Sequence, residues 1–387
     1  MISKTQLQNT LVKVRRHIHS NPELGNQEFS TTAYLAKIFK DFGIKTYRPS
    51  KTGLVAQING TAKSSGKNKC LGIRADIDAL PIQENTKKPY SSKKPGVMHA
   101  CGHDANSAIA LGAALLLNGR KSEFSGQAKF IFQPNEETAG GATGMIDSGV
   151  LKNPSVDAII GIHVNPWLAA GTVGLKPGEM MASVDKFTVE ILGRGTHGAY
   201  PHKGQDTILI AAQFINLLQS VVSREIDPVE PVVISVGSIS GGNMFNVLAD
   251  RVELCGTVRT LNEAVHKNVR KLIERKLSHV TKAYGAKYTF KYDVLGHPLK
   301  NDPVILELCR KSAVKVLGAG KVKVLNKPSM GGEDFSEYLR LVPGCFIFFG
   351  SACAEPYPWH SEFFDIDERM LSSASAVVSG IALDYLG

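Results

Sequence analysis

Met-His-Ala-Cys-Gly-His-Asp at 98–104 sets a thiol, Cys101, and an imidazole, His103, two residues apart just before an apolar helical run. Pro-Asn-Glu-Glu at 134–137 sets two adjacent carboxylates, Glu136 and Glu137, just beyond a run that reads as a strand. Thiolate and imidazole are softer ligands and carboxylate is a hard one, so the two segments together suit a divalent metal. Neighbouring glutamates can divide the work. One carboxylate binds metal while the other takes a proton from an attacking water and passes it to a leaving nitrogen. This is the equipment of a metal-activated hydrolase.

Further candidates sit where apolar runs end. The 157–162 run leads straight into His163, the 345–350 run leads to a loop holding His360, and the 71–74 run leads into Asp76 and Asp78. Open α/β sheets bind ligands at the carboxyl ends of their strands, so groups far apart in sequence would converge there. Each has a plainer explanation alone: Cys101 as a buried thiol, His163 as a hydrogen-bonded core histidine, the two glutamates as an acidic first helical turn. Their shared position favours a site. Cys-Gly-His is tighter than zinc-finger spacing and has no second pair nearby, which argues against a structural zinc knuckle. The sequence has no Gly-x-Ser-x-Gly elbow and no Walker-type loop.

The elements that must position these groups follow from periodicity. Leu7, Leu11, Val14 and Ile18 recur at helical spacing and the pattern breaks at Asn21-Pro22; a second amphipathic helix runs from Ser30 to Phe39 and stops at Gly43. Short apolar runs at 53–58, 69–75, 127–133 and 157–163 read as strands, with helices near 105–118 and 141–150 between them. Around Ala182 the rhythm changes: strand 186–193, helix 207–223, strands 231–240 and 252–259, helix 263–284, strand 287–294. That is the split βαβ order of a ferredoxin-like domain. The earlier style resumes with a helix at 303–317, a buried strand at 345–350 and a helix at 367–386. The expected architecture is an α/β domain, 1–181 and 295–387, with helices on both faces of its sheet, interrupted by an α+β insert at 182–294.

Composition bounds the rest. With 387 residues, 43% hydrophobic and 21% charged, the chain has enough apolar material for two cores and is not disordered. The formal charge of +10 comes largely from scattered lysines such as Lys87, Lys88, Lys93 and Lys94, with no nucleic-acid motif beside them. Cys70, Cys101, Cys255, Cys309, Cys345 and Cys353 show no disulfide framework spacing. The N-terminal region lacks an apolar signal core, and the longest apolar run, 108–117, is too short to span a bilayer. A cytoplasmic protein with no membrane or nucleic-acid partner is the expectation.

At these residues the chain resembles the aminoacylase/carboxypeptidase/hippurate hydrolase family of two-metal amidohydrolases. It is most similar to the subgroup of bacterial N-acyl-amino-acid amidohydrolases and plant auxin-conjugate hydrolases. The matching segments run from Arg-Arg-His-Ile-His-Ser-Asn-Pro-Glu-Leu at 15–24 through Arg-Ala-Asp-Ile-Asp-Ala-Leu-Pro at 74–81 and His-Ala-Cys-Gly-His-Asp at 99–104. They continue with Gln-Pro-Asn-Glu-Glu at 133–137, Gly-Ile-His at 161–163, Gly-Ala-Tyr-Pro-His at 198–202 and Gly-Gly-Glu-Asp-Phe at 331–335.

The resemblance implies that Cys101, His103, Glu137, His163 and His360 ligate two divalent metals, zinc or manganese, with Glu136 as general base and then acid. It implies that the insert is a lid and dimerisation domain, that His197 stabilises an oxyanion across a homodimer, and that Asn246, His202 and Arg259 serve the substrate. Two departures stand out: Asp76 and Asp78 occupy the region where the wider family carries a metal-binding histidine, and Asn106 replaces a histidine usual in the subgroup. The expected reaction is hydrolysis of small N-acyl amino acids. The rivals are a dipeptidase or carboxypeptidase with the same machinery and a non-catalytic metal-dependent binding protein.

Overall fold

The computed structural model describes residues 2–63, 66 and 68–387. The chain divides into two compact units: Met1–Gly178 with Lys300–Lys327 and Glu337–Gly387, and Glu179–Leu299 with Pro328–Ser336. The cuts fall close to 182 and 294. The segment Pro328–Ser336, expected with the flanking domain, packs instead with the second unit, where Ala182 N–H donates to the carbonyls of Ser329 and Gly331.

The first unit is built on an eight-stranded mixed sheet. Its order is Lys45–Tyr47, Leu54–Asn59, Gln127–Gln133, Cys70–Asp76, Ala158–Ala169, Gly344–Ala352, Val173–Leu175, Val322–Val324. The four strands Gln127–Gln133, Cys70–Asp76, Ala158–Ala169 and Gly344–Ala352 are mutually parallel. They are buried almost end to end, as parallel strands covered on both faces must be. Their register carries the functional consequence. Asp76 pairs with Gln133, Arg74 with Gly161, and Phe348 with His163, so Asp76, Gln133, His163 and Phe348 lie at one level, which is the carboxyl end of Cys70–Asp76 and Gln127–Gln133.

Helices close over this sheet. Lys4–Ser20 starts with a capping box between Ser3 and Gln6, and its stripe Leu7, Leu11, Val14, Ile18 is fully buried. Each such side chain contributes about 1.5–3 kcal/mol when removed from water. The helix His103–Asn118 buries every residue except Leu116 and Asn118, lying between Lys4–Ser20 and Leu371–Leu386. Its start depends on Gly102, which has φ of +93° and stands so close to Val164 that a Cβ there would lie 2.3 Å from Cγ2 of that valine. A glycine between Cys101 and His103 is therefore a steric requirement of the turn.

The second unit is an antiparallel four-stranded sheet ordered Val232–Gly241, Arg251–Thr260, Val184–Leu192, Lys287–Gly296, with two helices, Thr207–Ser220 and Glu263–Ala283. Counted along the unit this is the ferredoxin-like strand order. Strand alternation turns Phe187, Val189 and Ile191 toward Ile210 and Phe214 of one helix and Val269 and Ile273 of the other. The stretch Thr207–Glu225 is long and apolar enough to cross a membrane by length and composition, but its face Ile210, Phe214, Leu218, Val221 belongs to this core.

Candidate active site

The segments that follow three of the parallel strands, with His163 inside the fourth, bring the expected ligands together in the first unit. Cys101 Sγ lies 3.6 Å from His163 Nε2, and His103 Nε2 lies 3.7 Å from Glu137 Oε1. His360 Nε2 lies 3.5 Å from Glu137 Oε2. Ligand atoms around a tetrahedral ion with bonds of about 2.0–2.3 Å sit about 3.3–3.8 Å apart, which these separations match. Cys101 with His103 and His163 forms one potential cradle, and Cys101 with Glu137 and His360 a second that shares the sulfur. Glu136 stands at the rim, its Oε2 4.0 Å from His103 Nε2.

Two observations test whether these residues fit metal. His103 Nε2 and Glu137 Oε1 are buried without a hydrogen-bond partner, a costly arrangement that a cation would relieve. The field also favours positive charge. Burial disfavours an imidazolium at His103, yet Asp76, Cys101 and Asp78 hold its pKa well above the ordinary value. Burial, reinforced by Glu137, pushes the Cys101 thiol well up, so its thiolate needs a cation close by. The donor set fits a divalent ion of the zinc class.

The orientation of the ligands comes from hydrogen bonds behind them. His103 donates Nδ1–H to the Asp78 carbonyl at 2.9 Å and to Asp78 Oδ1 at 3.2 Å, which leaves Nε2 with its lone pair facing the cluster. Asp78 Oδ2 accepts the Glu137 N–H at 3.0 Å, so one carboxylate aligns two ligands. His163 donates Nδ1–H to the Val164 carbonyl at 2.8 Å and presents Nε2 to Cys101. His360 is held by its own N–H on the Ala100 carbonyl, with φ of +66°.

Asp76 is differently placed. Its Oδ2 accepts from Arg74 at 2.7 Å and its Oδ1 from Asn106 at 2.7 Å, while Arg74 Nε also donates to Gln133. Asn106 in turn accepts the Val164 N–H, so it ties the end of one strand to the next. The substituted asparagine thus has a structural occupation of its own.

Behind the helix start lies a buried charged network. Arg15 Nε and His19 Nδ1 both lie 2.7 Å from Asp104 Oδ2, and His19 Nε2 lies 3.2 Å from Glu84 Oε1. Arg15 and His19 share a face because they are one helical turn apart. This accounts for the Arg-Arg-His-Ile-His segment: it grips the residue that follows His103.

The other expected residues belong to the second unit. His197 ends the two-residue strand Thr196–His197, which pairs with Val247–Leu248, and Gly198 N–H donates to the Asn246 carbonyl at 2.7 Å. His197 Nδ1 accepts the Ala199 N–H at 3.1 Å, which puts the ring proton on Nε2 and makes that exposed atom a donor. His202 is exposed on the 3₁₀ turn Pro201–Lys203, and Arg259 is partly buried on Arg251–Thr260.

Comparison with known proteins identifies the family of the chain. The model of Peptidase family M20/M25/M40 matches residues 72–383. The chain belongs to that family. It is 42% identical over 377 residues to N-acetyl-L-cysteine deacetylase of Bacillus subtilis (strain 168), covering 97% of this chain and 88% of the relative. It is 34% identical over 386 residues to thermostable carboxypeptidase 2 of Saccharolobus solfataricus, covering 98% and 96%. The crystal structure of the Bacillus subtilis YXEP protein, described as a dinuclear metal-binding peptidase from the M20 family, superposes with a TM-score of 0.87 at 36% identity, covering 99% of each chain. As a member of this peptidase family the protein is a hydrolase of amide bonds. Asp78 was noted in the sequence as a strand-end candidate but without its part in aligning His103 and Glu137. Asp104 was not singled out as a site residue, and the available signal was its position directly after His103.

Proposed function

We propose that the protein hydrolyses the amide bond of small N-acyl amino acids, releasing a carboxylate and a free amino acid, with two divalent metal ions, zinc or manganese. The observation that carries this is Glu136, a carboxylate at the rim of a cluster in which two buried ligand atoms, His103 Nε2 and Glu137 Oε1, lack hydrogen-bond partners. Support for the substrate class comes from the relative named for deacetylation of N-acetyl-L-cysteine. Cys101, His103, Glu137, His163 and His360 would hold the ions. When bound, the ions polarise the scissile carbonyl and make water acidic enough to attack. The softness of the thiolate and imidazoles favours zinc, while manganese serves in similar proteins.

Glu136 takes one proton as the water oxygen bonds to the carbonyl carbon, then delivers it to the nitrogen as the carbon–nitrogen bond breaks. His197 Nε2–H donates to the oxyanion that develops on the carbonyl oxygen. Asn246 contacts substrate, and His202 and Arg259 receive the carboxylate of the amino-acid part. His197 acts on the partner subunit's substrate in a homodimer formed by the second unit. The edge strand Val232–Gly241 and the neighbouring Met244 and Phe245, the latter 98% exposed, offer an apolar surface for that association. Six free cysteines suit a reducing, cytoplasmic setting.

A second reading, a carboxypeptidase or dipeptidase, is supported by the carboxypeptidase relative. Amine release by metal-reconstituted protein from a panel of N-acyl amino acids and dipeptides separates the two. Preference for the N-acyl compounds supports the first reading, and preference for dipeptides replaces it with the second.

A further inference from the structure

The second unit holds a group of metal-competent side chains that the amide-hydrolysing site does not use. One ligand atom from each of Glu263, His266 and His297 lies within 4.8 Å of the other two. Glu263 and His266 are i and i+3 in the first turn of Glu263–Ala283 and so share a face, and His297 follows the end of Lys287–Gly296. Glu263 Oε2 lies 3.8 Å from His266 Nδ1 and 3.5 Å from His297 Nδ1, close to the edges of a tetrahedral coordination shell. The two imidazole rings meet edge to face at 89° with centroids 5.0 Å apart.

His266 carries the strongest indication. Its side chain is 3% exposed, and Nδ1 is buried without a hydrogen-bond partner. The opposite nitrogen, Nε2, lies 2.9 Å from Asp185, whose side chain is fully buried and whose Oδ2 also accepts the Tyr292 hydroxyl at 2.9 Å. The Asp185 oxygens accept from Nε2–H and from the Tyr292 hydroxyl, which leaves Nδ1 with its lone pair toward Glu263. Carboxylate, imidazole and open lone pair in line form the arrangement that orients histidine toward metal. Strand alternation explains it: Asp185 shares the inward face of Val184–Leu192 with Phe187, under the start of the helix. Glu263 adds charge. Burial would raise its carboxyl, but His297, Lys267 and His266 hold it below the usual range, and Lys267 engages Oε1, leaving Oε2 to the histidines.

We propose that Glu263, His266 and His297 form a separate binding site for one divalent transition-metal ion of the zinc class, completed by solvent at the fourth position and linking the start of Glu263–Ala283 to the end of Lys287–Gly296. Two imidazole nitrogens and one carboxylate oxygen select zinc over calcium or magnesium, which require more oxygen ligands. Because ligation needs both rings unprotonated, binding weakens in acid.

The test uses untagged full-length protein stripped with a chelator and dialysed against zinc chloride, with elemental analysis of zinc per chain at neutral pH. Wild type should bind one equivalent more than a Glu263→Ala/His297→Ala variant, and the difference should vanish at pH 5. Both positions are solvent-accessible, and circular dichroism verifies folding; Glu263→Ala alone, at a half-exposed side chain, serves if the double variant is unstable. Equal zinc content in folded wild type and variant overturns the proposal. The comparison is a difference between two proteins with the same Cys101 cluster, so its outcome does not depend on how many ions that cluster holds.

Discussion

Asp78 illustrates how a residue can govern the site without belonging to the expected ligand set. Its carboxylate accepts from both His103 Nδ1 and the Glu137 backbone, while its carbonyl gives His103 a second acceptor. Asp78→Ala removes the carboxylate and keeps the carbonyl, so the imidazole retains its tautomer but loses part of its alignment. Metal affinity should fall about 10–100-fold, measured by competition with a chelating dye; unchanged affinity would show that the carboxylate orients nothing. Cys101, His103, Glu136 and Glu137 were legible in the sequence because their types are unusual together and they stand beside elements with clear periodicity. The positions of Asp78 and Asn106 were noted but their roles were not legible, because their work is hydrogen bonding across the fold and an aspartate or asparagine by type says nothing of its partner.

Glu84 supplies the pH dependence. Burial alone would raise its carboxyl, but His19, the Thr86 hydroxyl and the Ser92 N–H hold it at about 2. A depressed folded-state pKa contributes stability above the unfolded value of about 4.5, and that stability is lost as pH falls through the interval toward about 2. Melting temperature should therefore fall between those limits in wild type and fall less steeply in Glu84→Gln. Parallel acid limbs in the two proteins would remove Glu84 from the linkage.

At the scale of elements, the turn between Cys101 and His103 has the least freedom. Gly102→Ala must accept a left-handed φ and displace Val164, the carbonyl of which orients His163. A loss of at least about 1–3 kcal/mol is expected from the backbone conformation alone, read as a lower denaturation midpoint together with weaker metal binding. A variant as stable as wild type would contradict the steric argument. The long helices and the four central parallel strands could be read from periodicity and from continuous apolar runs. Lys45–Tyr47, Val173–Leu175 and Val322–Val324 could not, since three residues show no period; the place of the last two comes from pairing with strands remote in sequence, and that of the first from pairing with Leu54–Asn59. The same holds for Thr196–His197, two residues whose conformation depends on Val247–Leu248.

At the scale of the molecule, the two cores are separate clusters of buried side chains, one under the eight-stranded sheet and one under the four-stranded sheet. The change of rhythm near 182 made the insert visible, but the packing of Pro328–Ser336 with the second unit was not, because it rests on backbone bonds to Met180 and Ala182 rather than on pattern. If the exposed face around Phe245 mediates a homodimer, Phe245→Asp should shift the protein to monomer in light scattering and lower kcat by removing the partner's His197. A monomeric variant with full turnover would disconnect assembly from catalysis.

In the proposed amide hydrolysis Glu136 moves the proton. The most direct test is the turnover of an N-acyl amino acid by Glu136→Gln holding the same metal content as wild type. Loss of the base should lower kcat about 10²–10⁴-fold. Turnover equal to wild type at equal metal content would contradict that role.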